Sequence, residues 1–222
     1  MFVNTIQLKN INLTPGNKNF KTKRELWKAE REGKTLLEIQ TSEKIYYPLH
    51  EYQRQQYILD RIKKYKPDKI LEIGPGRCVL AGLIAEQLKY QNLTLVDITD
   101  INKRVQSMPW LKDKVSTKIC SVTELPYKDK EFDLIIAAEI LEHIPLEYFK
   151  LGLKEIRRVS KNYIITIPFS EKEPIYKGHK IRFPIDAIKE HFPKENKTIL
   201  IKPKGCDVIS LESSKIGNFN NP

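Results

Sequence analysis

Short strand-like runs alternate along the chain with segments whose apolar residues recur at helical spacing. The runs cover residues 69–73, 92–98, 115–119, 130–139 and 162–168. Short apolar runs fit strands buried on both faces, and segments such as 79–88 repeat apolar residues every three or four positions, as helices do. Strands that alternate with helices form a parallel sheet covered by helices on both faces. The pattern therefore predicts a Rossmann-like, doubly wound α/β fold.

Further elements extend this unit at both ends. Residues 51–64 and 185–192 have the apolar spacing of helices, and residues 197–202 and 207–211 fit a closing antiparallel pair of strands at the edge of the sheet. With this pair, the predicted sheet has seven strands and is mostly parallel.

The first fifty residues have a different pattern. Residues 1–20 alternate loosely and predict a strand-like arm, and residues 22–32 predict a charged helix. We interpret residues 1–50 as an N-terminal extension and candidate lid, residues 51–215 as the main domain, and residues 216–222 as a tail.

A glycine-rich turn joins the first predicted strand to the helix after it. The strand ends in Glu72-Ile73, and Gly74-Pro75-Gly76 follows directly. Glycines allow backbone conformations closed to other residues and let a ligand lie against the main chain, while the helix start offers free N–H groups. By itself, the motif fits an ordinary glycine turn equally well.

An acidic residue at the end of the second strand favours a ligand site over an ordinary glycine turn. Asp97 follows Gly74 by 23 residues, close to the spacing of roughly 20 residues at which a carboxylate reaches the ribose of a bound nucleotide. Asp97 also fits a helix N-cap, but the upstream glycine turn favours the ribose role.

Polar side chains stand at the ends of four predicted strands. They are Glu72, Asp97, Ser121 and Glu139. Because the carboxyl ends of parallel strands meet at one edge of a sheet, which is where such folds bind ligands, we expect these side chains on one rim.

Residues from about 66 to 191 resemble the class I S-adenosylmethionine-dependent methyltransferases in the combination of these motifs. The closest group reads glycine loop, then Leu-Pro-aromatic, then Phe-Asp-Leu-Ile and Leu-Glu-His. Here these motifs are the segment Leu71 to Gly76, Leu125-Pro126-Tyr127, the segment Phe132 to Ile135, and Leu141-Glu142-His143. The combination is specific, although each motif alone is weak.

The resemblance implies S-adenosylmethionine as the cofactor and a role for each matching residue. The implied cofactor-binding residues are Glu72, Gly74, Pro75 and Gly76 around the methionine end, Asp97 at the ribose, Ile98, Ser121 and Val122 at the adenine, and Glu139 near the amino-acid moiety. Two positions depart from the family. Cys78 stands where a third small residue is common, and Ser121 stands where an acid is common, so backbone groups near Val122 are the alternative contact to the adenine.

The reaction implied is methyl transfer to an oxygen or nitrogen nucleophile of a small or carrier-linked acceptor. If the acceptor needs a base, His143 is the nearest catalytic candidate by motif. The alternative is that His143 only stabilises the turn that contains it. His50 and His179 are weaker candidates.

The net charge of +11 is concentrated in the flanks. Residues 1–69 carry 15 basic and 8 acidic side chains, residues 70–153 carry 10 and 12, and residues 154–222 carry 14 and 8. A basic rim attracts anionic partners such as a phosphate-bearing molecule, RNA or a membrane surface. The lysines are spread out, so a general bias in composition explains them as well. An RNA methyltransferase or RNA-binding module is the alternative to the small or carrier-linked acceptor.

A nicotinamide-dependent oxidoreductase shares the glycine loop and the ribose acid. Such an enzyme should carry a third loop glycine and a Tyr/Lys pair or a substrate domain, and neither is found in the sequence. This hypothesis is therefore less favoured than methyl transfer.

The cysteines and the absence of long apolar runs complete the sequence-based expectations. Cys78, Cys120 and Cys206 are scattered, without a Cys-x-x-Cys pair or a histidine at metal-binding spacing, and predict reduced thiols and no metal site. No run reaches the length of a membrane span, and the first residues lack the pattern of a secretion signal. We expect a cytoplasmic protein, and the oligomeric state is left open.

Overall fold

The computed structural model describes residues 3–7, 49–89, 92–169, 171–172, 175–201 and 207–213. The strands of this part are β1 (Val3–Gln7), β2 (Ile70–Ile73), β3 (Leu93–Asp97), β4 (Val115–Ile119), β5 (Phe132–Ala138), β6 (Ser160–Phe169), β7 (Asn196–Ile201) and β8 (Asp207–Glu212). The helices are α1 (Leu49–Tyr65), α2 (Val79–Gln87), α3 (Asn102–Gln106), α4 (Leu146–Val159) and α5 (Ile185–His191), with a 3-10 turn at Leu141–His143.

All eight strands form one sheet in the order β1-β7-β8-β6-β5-β2-β3-β4. β8 runs antiparallel to its neighbours β6 and β7, and the remaining pairs are parallel. Strands β2 to β8 are the seven strands of the predicted sheet, so the predicted fold class is confirmed. β1 adds an eighth strand from the N-terminal extension, in register from Val3 opposite Lys197 to Gln7 opposite Ile201.

Apolar side chains cover both faces of the sheet, as the alternation of strands and helices predicted. On one face, α1 and α2 contribute Ile58 and Ile84 to a cluster that includes Leu95 of β3. On the other face, α4 and α5 contribute Phe149 and Ile188. Every residue of β2 is buried, which explains why its sequence is apolar except for Glu72 and does not alternate.

Most predicted element bounds differ from the observed ones by a few residues. α1 begins at Leu49 rather than at residue 51, and β6 extends over Ser160–Phe169. α3 was not predicted, because its five residues bury only Val105 and so show no apolar period. The predicted helix at 22–32 and the tail at 216–222 lie outside the described residues, and the division into an arm, a domain and a tail stays a prediction.

The carboxyl ends of the central strands lie at one edge of the sheet. There, the backbone N–H of Gly74, just after β2, donates to the carbonyl of Val96 in β3 at 2.8 Å. α1 reaches the same edge through Arg54, whose Nη1 lies 3.4 Å from Oγ1 of Thr166 in β6. None of the described helices is both long enough and apolar enough to cross a bilayer.

Candidate active site

The glycine loop after β2 adopts a backbone that other residues avoid. Gly74 has φ +62° and Gly76 has φ +53°, in the left-handed region where glycine meets no Cβ penalty. A Cβ at Gly74 would lie 2.6 Å from Cδ1 of Ile140, whereas a Cβ at Gly76 would meet no atom within 4 Å. The side chain of Arg104 donates a hydrogen bond to the Gly76 carbonyl. Gly74 is therefore required both by conformation and by space.

Cys78 occupies the third small position of the loop. Its backbone has φ +58°, its N–H donates to the Pro75 carbonyl at 2.7 Å, and its side chain is fully buried where α2 begins. Burial raises the pKa of the Cys78 thiol to about 12, so the thiol is protonated and packs as a small apolar group.

A cavity of about 450 Å³ opens beside the glycine loop. Its wall includes six of the predicted site residues: Gly74, Asp97, Ile98, Ser121, Val122 and His143. They come from the ends of three neighbouring strands and from the 3-10 turn after β5. The other four predicted residues, Glu72, Pro75, Gly76 and Glu139, adjoin this wall in sequence but do not line the cavity.

Asp97 and Ile98 stand at the end of β3. Oδ1 of Asp97 accepts hydrogen bonds from the backbone N–H and the hydroxyl of Thr99, both at 2.9 Å. These two bonds orient the carboxylate at the cavity. Ile98 is 77% exposed, an unusual placement for a large aliphatic side chain, and it offers an apolar surface on which a flat ring can stack.

Ser121 and Val122 form the wall beyond β4. The Ser121 hydroxyl lies 2.7 Å from Oγ1 of Thr123 and accepts the Thr123 backbone N–H at 3.2 Å. The hydroxyl is thus already used within its own turn. Val122 packs against α4, where Gly152 allows the close approach: a Cβ at Gly152 would lie 3.3 Å from Cγ1 of Val122.

Arg158 and Glu155 of α4 hold the segment from Leu125 to Tyr127, which follows this wall. The sequence analysis did not identify these two residues. Arg158 donates to the carbonyl oxygens of Leu125 at 2.9 Å and Tyr127 at 2.7 Å. Glu155 accepts the Leu125 N–H at 2.9 Å and pairs with Arg158 at 2.7 Å. Their spacing of three residues on one helix face was the available signal, but nothing local indicated their backbone partners.

Glu72 is a buried carboxyl group two residues before Gly74. It is 3% exposed, and its Oε2 has no hydrogen-bond partner among the described residues. Burial raises the pKa of Glu72 to about 8, because removal from water penalises the charged form. A cationic group brought near Glu72 would favour the carboxylate.

If S-adenosylmethionine, the cofactor that the resemblance implies, places its ammonium group beside Glu72, its binding is expected to release a proton from this carboxyl group. At pH 7 the free protein holds Glu72 mostly protonated, and the ligand's ammonium group would lower its pKa, so affinity should rise with pH until about pH 8 and then level off. Calorimetry at pH 7 in two buffers with different ionisation enthalpies should detect release of about one proton. The Glu72→Gln variant should release none; equal binding enthalpies in both buffers for the wild type would contradict the assignment.

Glu139 and Glu142 follow β5 as a pair of acids. Glu139 has φ +55°, and its Oε1 lies 3.4 Å from Nη1 of Arg54 in α1. Glu142 is 1% exposed. Burial, followed by the charge of Glu139, raises the pKa of Glu142 well above its ordinary value. A left-handed backbone at a residue other than glycine is strained and is common at functional sites.

His143 is the predicted catalytic candidate, and its ring borders the cavity. Nδ1 of His143 lies 2.9 Å from the carbonyl oxygen of Gly178. A carbonyl only accepts, so Nδ1 carries the proton in this bond and Nε2 of the neutral ring keeps its lone pair. The geometry thus leaves one ring nitrogen of His143 able to act as a base or a ligand.

Residues 71–163 match a family model described as "Methyltransferase domain". The match begins in β2 and ends in β6, and so includes the glycine loop, Asp97 and His143. Residues 71–163 are therefore identified as a methyltransferase domain. Such domains take their methyl group from S-adenosylmethionine. The predictions of the family, the enzyme class and the cofactor are confirmed.

One relative matches the chain over more residues than the family model covers. Over 132 residues, the chain is 32% identical to an uncharacterized protein of Methanocaldococcus jannaschii. This alignment covers 56% of the chain and 52% of the relative. The chain spans about half the length of the curated relatives that it matches.

Solved structures share the fold of the methyltransferase domain. The methyltransferase domain of the bacterial protein CtHen1 superposes with a TM-score of 0.56 at 16% identity, over 73% of this chain and 98% of that one. A SAM-dependent methyltransferase from Aquifex aeolicus gives a TM-score of 0.51 at 15% identity, over 71% of this chain and 88% of that one. At such identities, the likeness concerns the fold alone.

Proposed function

We propose that this methyltransferase domain transfers a methyl group from S-adenosylmethionine to an oxygen or nitrogen nucleophile of a small or carrier-linked acceptor. One observation carries the proposal: a single cavity is bordered by the glycine loop, by the end of β3 and by His143. The residues that we propose for the cofactor and a candidate reactive side chain therefore border the same cavity.

The residues on and beside the cavity wall suit the parts of the cofactor. The Gly74 and Gly76 backbone suits the charged methionine end, together with the carboxyl oxygen of Glu72 that has no partner among the described residues. Asp97 suits the ribose hydroxyls, because a carboxylate accepts hydrogen bonds from vicinal hydroxyls. The exposed face of Ile98 suits the adenine. We assign Pro75 to the same loop, Ser121 and Val122 to the adenine side, and Glu139 to the neighbourhood of the amino-acid moiety.

Methyl transfer requires little covalent chemistry from the protein itself. When bound, S-adenosylmethionine supplies an electrophilic methyl group: the nucleophile's lone pair forms the new bond to carbon, and the C–S bond breaks with its electrons going to sulfur. The chain's own residues orient both partners and exclude water from the cavity. We assign the contact with the acceptor to His143, whose Nε2 has its lone pair free.

Transfer of a labelled methyl group tests the proposed function. Full-length protein with methyl-labelled S-adenosylmethionine should label a component of extract from cells that lack it, and the Asp97→Ala variant should label at least about tenfold less under subsaturating cofactor. Label that resists nuclease supports a small or carrier-linked acceptor. Label lost on nuclease treatment would instead make the basic flanks an RNA-binding surface. Absence of any labelled product would contradict the proposal.

A further inference from the structure

A group of metal-binding side chains lies at the edge of the cavity, around the turn after β5. Glu142, His143 and His179 each place one donor atom within 4.8 Å of the donor atoms of the other two. His143 also borders the cavity. Within the described ranges, no other set of three such side chains lies this close together.

The two histidines are held in the same way. Nδ1 of His143 lies 2.9 Å from the Gly178 carbonyl, and Nδ1 of His179 lies 2.7 Å from Oε2 of Glu171. A carbonyl or a carboxylate accepts the ring N–H, which leaves Nε2 of each ring with its lone pair. Histidines that bind metals typically donate their other ring N–H to such oxygens. Nε2 of each ring is therefore available as a ligand atom.

The third ligand is a carboxyl group that the rest of the described chain does not satisfy. Glu142 is 1% exposed, and its Oε2 has no hydrogen-bond partner among the described residues. Its other oxygen, Oε1, lies 4.0 Å from Nε2 of His143. A buried oxygen without a partner is costly unless a cation or a donor approaches it.

Backbone hydrogen bonds also hold the two segments that carry these three residues together. The carbonyl of Glu142 accepts the N–H of Lys180 at 2.6 Å and of Ile181 at 3.3 Å. Gly178 lets the two segments approach, since a Cβ there would lie 3.3 Å from the His143 ring. Because these contacts fix the segment that carries His179 beside the turn, the donor set is preorganised.

We propose that Glu142, His143 and His179 bind a divalent transition-metal cation, of the Mn²⁺ or Zn²⁺ class, and that this cation holds a hydroxyl oxygen of the methyl acceptor. Two imidazoles and one carboxylate are a donor set for such cations and leave coordination positions open for an oxygen ligand. The second half of this inference rests on the proposed function, and it narrows the acceptor from an oxygen or nitrogen nucleophile to a hydroxyl.

The cation gives His143 a different role from that of a general base. A cation held there would make a bound hydroxyl more acidic, so that the hydroxyl could give its proton to solvent water while its oxygen keeps the lone pair needed for the bond to the methyl carbon. In this arrangement, Nε2 of His143 is a ligand and takes up no proton. The site also departs from the sequence-based expectation of no metal, which was drawn from the spacing of cysteines and histidines along the chain.

Metal binding tests the inference without any turnover. Full-length protein, stripped with a chelator and dialysed, is titrated with Mn²⁺ and with Zn²⁺ by calorimetry, and its Co²⁺ form is examined by absorption spectroscopy. We expect one equivalent to bind, and we expect Glu142→Gln and His179→Gln each to weaken binding at least about tenfold. His191→Gln is the matched control, since the His191 ring packs against Phe149 outside the cluster, and it should bind like the wild type.

Affinity for S-adenosylmethionine, measured on the same samples, separates the two proposals. Glu142 and His179 do not line the cavity, so their variants should keep cofactor affinity within about twofold while losing the metal, which also shows that they are folded. Wild type that binds no metal, or His179→Gln that binds it equally well, overturns the inference. If methyl transfer to the natural acceptor proceeds fully after chelation, the metal's role in catalysis is overturned. Metal binding without any methyl acceptor would support the site and overturn the proposed function.

Discussion

Replacement of Gly74 by alanine is expected to destabilise the fold and weaken cofactor binding far more than the same change at Gly76. Both residues have a positive φ, which costs alanine about 1–2 kcal/mol. Only at Gly74 would the new Cβ overlap a neighbour, at 2.6 and 2.8 Å from Cδ1 and Cγ1 of Ile140. Overpacking of this kind adds about 1–3 kcal/mol. Gly74→Ala should therefore lose about 2–5 kcal/mol in the free energy of unfolding, measured in denaturant.

The loss of cofactor affinity has a separate cause. Ile140 lines the cavity, so a Cβ at Gly74 must displace a wall of the site. We expect Gly74→Ala to weaken S-adenosylmethionine binding at least about tenfold, or 1.4 kcal/mol, as measured by calorimetry, and Gly76→Ala to weaken it less.

A double-mutant cycle identifies the contact responsible. If the overlap with Ile140 carries the extra cost, Gly74→Ala in an Ile140→Ala background should cost only the conformational part, about 1–2 kcal/mol. An equal cost of Gly74→Ala in both backgrounds would show that Ile140 is not the cause. Equal effects of the alanine substitutions at Gly74 and Gly76 in the wild-type background would lead to the same conclusion.

Replacement of Asp97 by alanine is expected to weaken S-adenosylmethionine binding at least about tenfold, or 1.4 kcal/mol. Asp97 lines the cavity at the end of β3, and charge-assisted hydrogen bonds from a carboxylate to ribose hydroxyls are among the stronger ones. Asp100→Ala is the matched control, because Asp100 is exposed and its Oδ1 accepts the Asn102 N–H at 2.8 Å, away from the cavity wall. Its affinity should change less than about twofold.

A second substitution separates the ribose contact from the turn at Thr99. Asp97→Asn keeps an oxygen that can accept the two hydrogen bonds from Thr99, but it loses the charge. We expect it to lose most of the affinity that Asp97→Ala loses, while its stability stays closer to the wild type. An unchanged dissociation constant for Asp97→Ala would refute the ribose assignment.

The sequence determined the fold class and part of the candidate site. Short apolar strands alternating with helices require a parallel sheet, and a parallel sheet brings its carboxyl ends to one edge. That rule alone predicted that Gly74 and Asp97 would lie near each other, and both line the cavity. The Leu-Glu-His motif at residues 141–143 also indicated His143 as a candidate. These features could be predicted because each depends on spacing along the chain and on the rule that the carboxyl ends of parallel strands share one edge of the sheet.

Only the tertiary structure decided the rest. β1 joins the sheet beside β7, almost two hundred residues later in the chain, and no local pattern specifies such a partner. His179 lies thirty-six residues after His143 and meets Glu142 through backbone hydrogen bonds of Lys180 and Ile181. Arg158 and Ile140 likewise depend on long-range contacts. Arg158 binds the carbonyl oxygens of Leu125 and Tyr127, and the side chain of Ile140 lies against Gly74. Sequence spacing reports which side chains share an element, whereas the packing of distant segments decides which of them share a site.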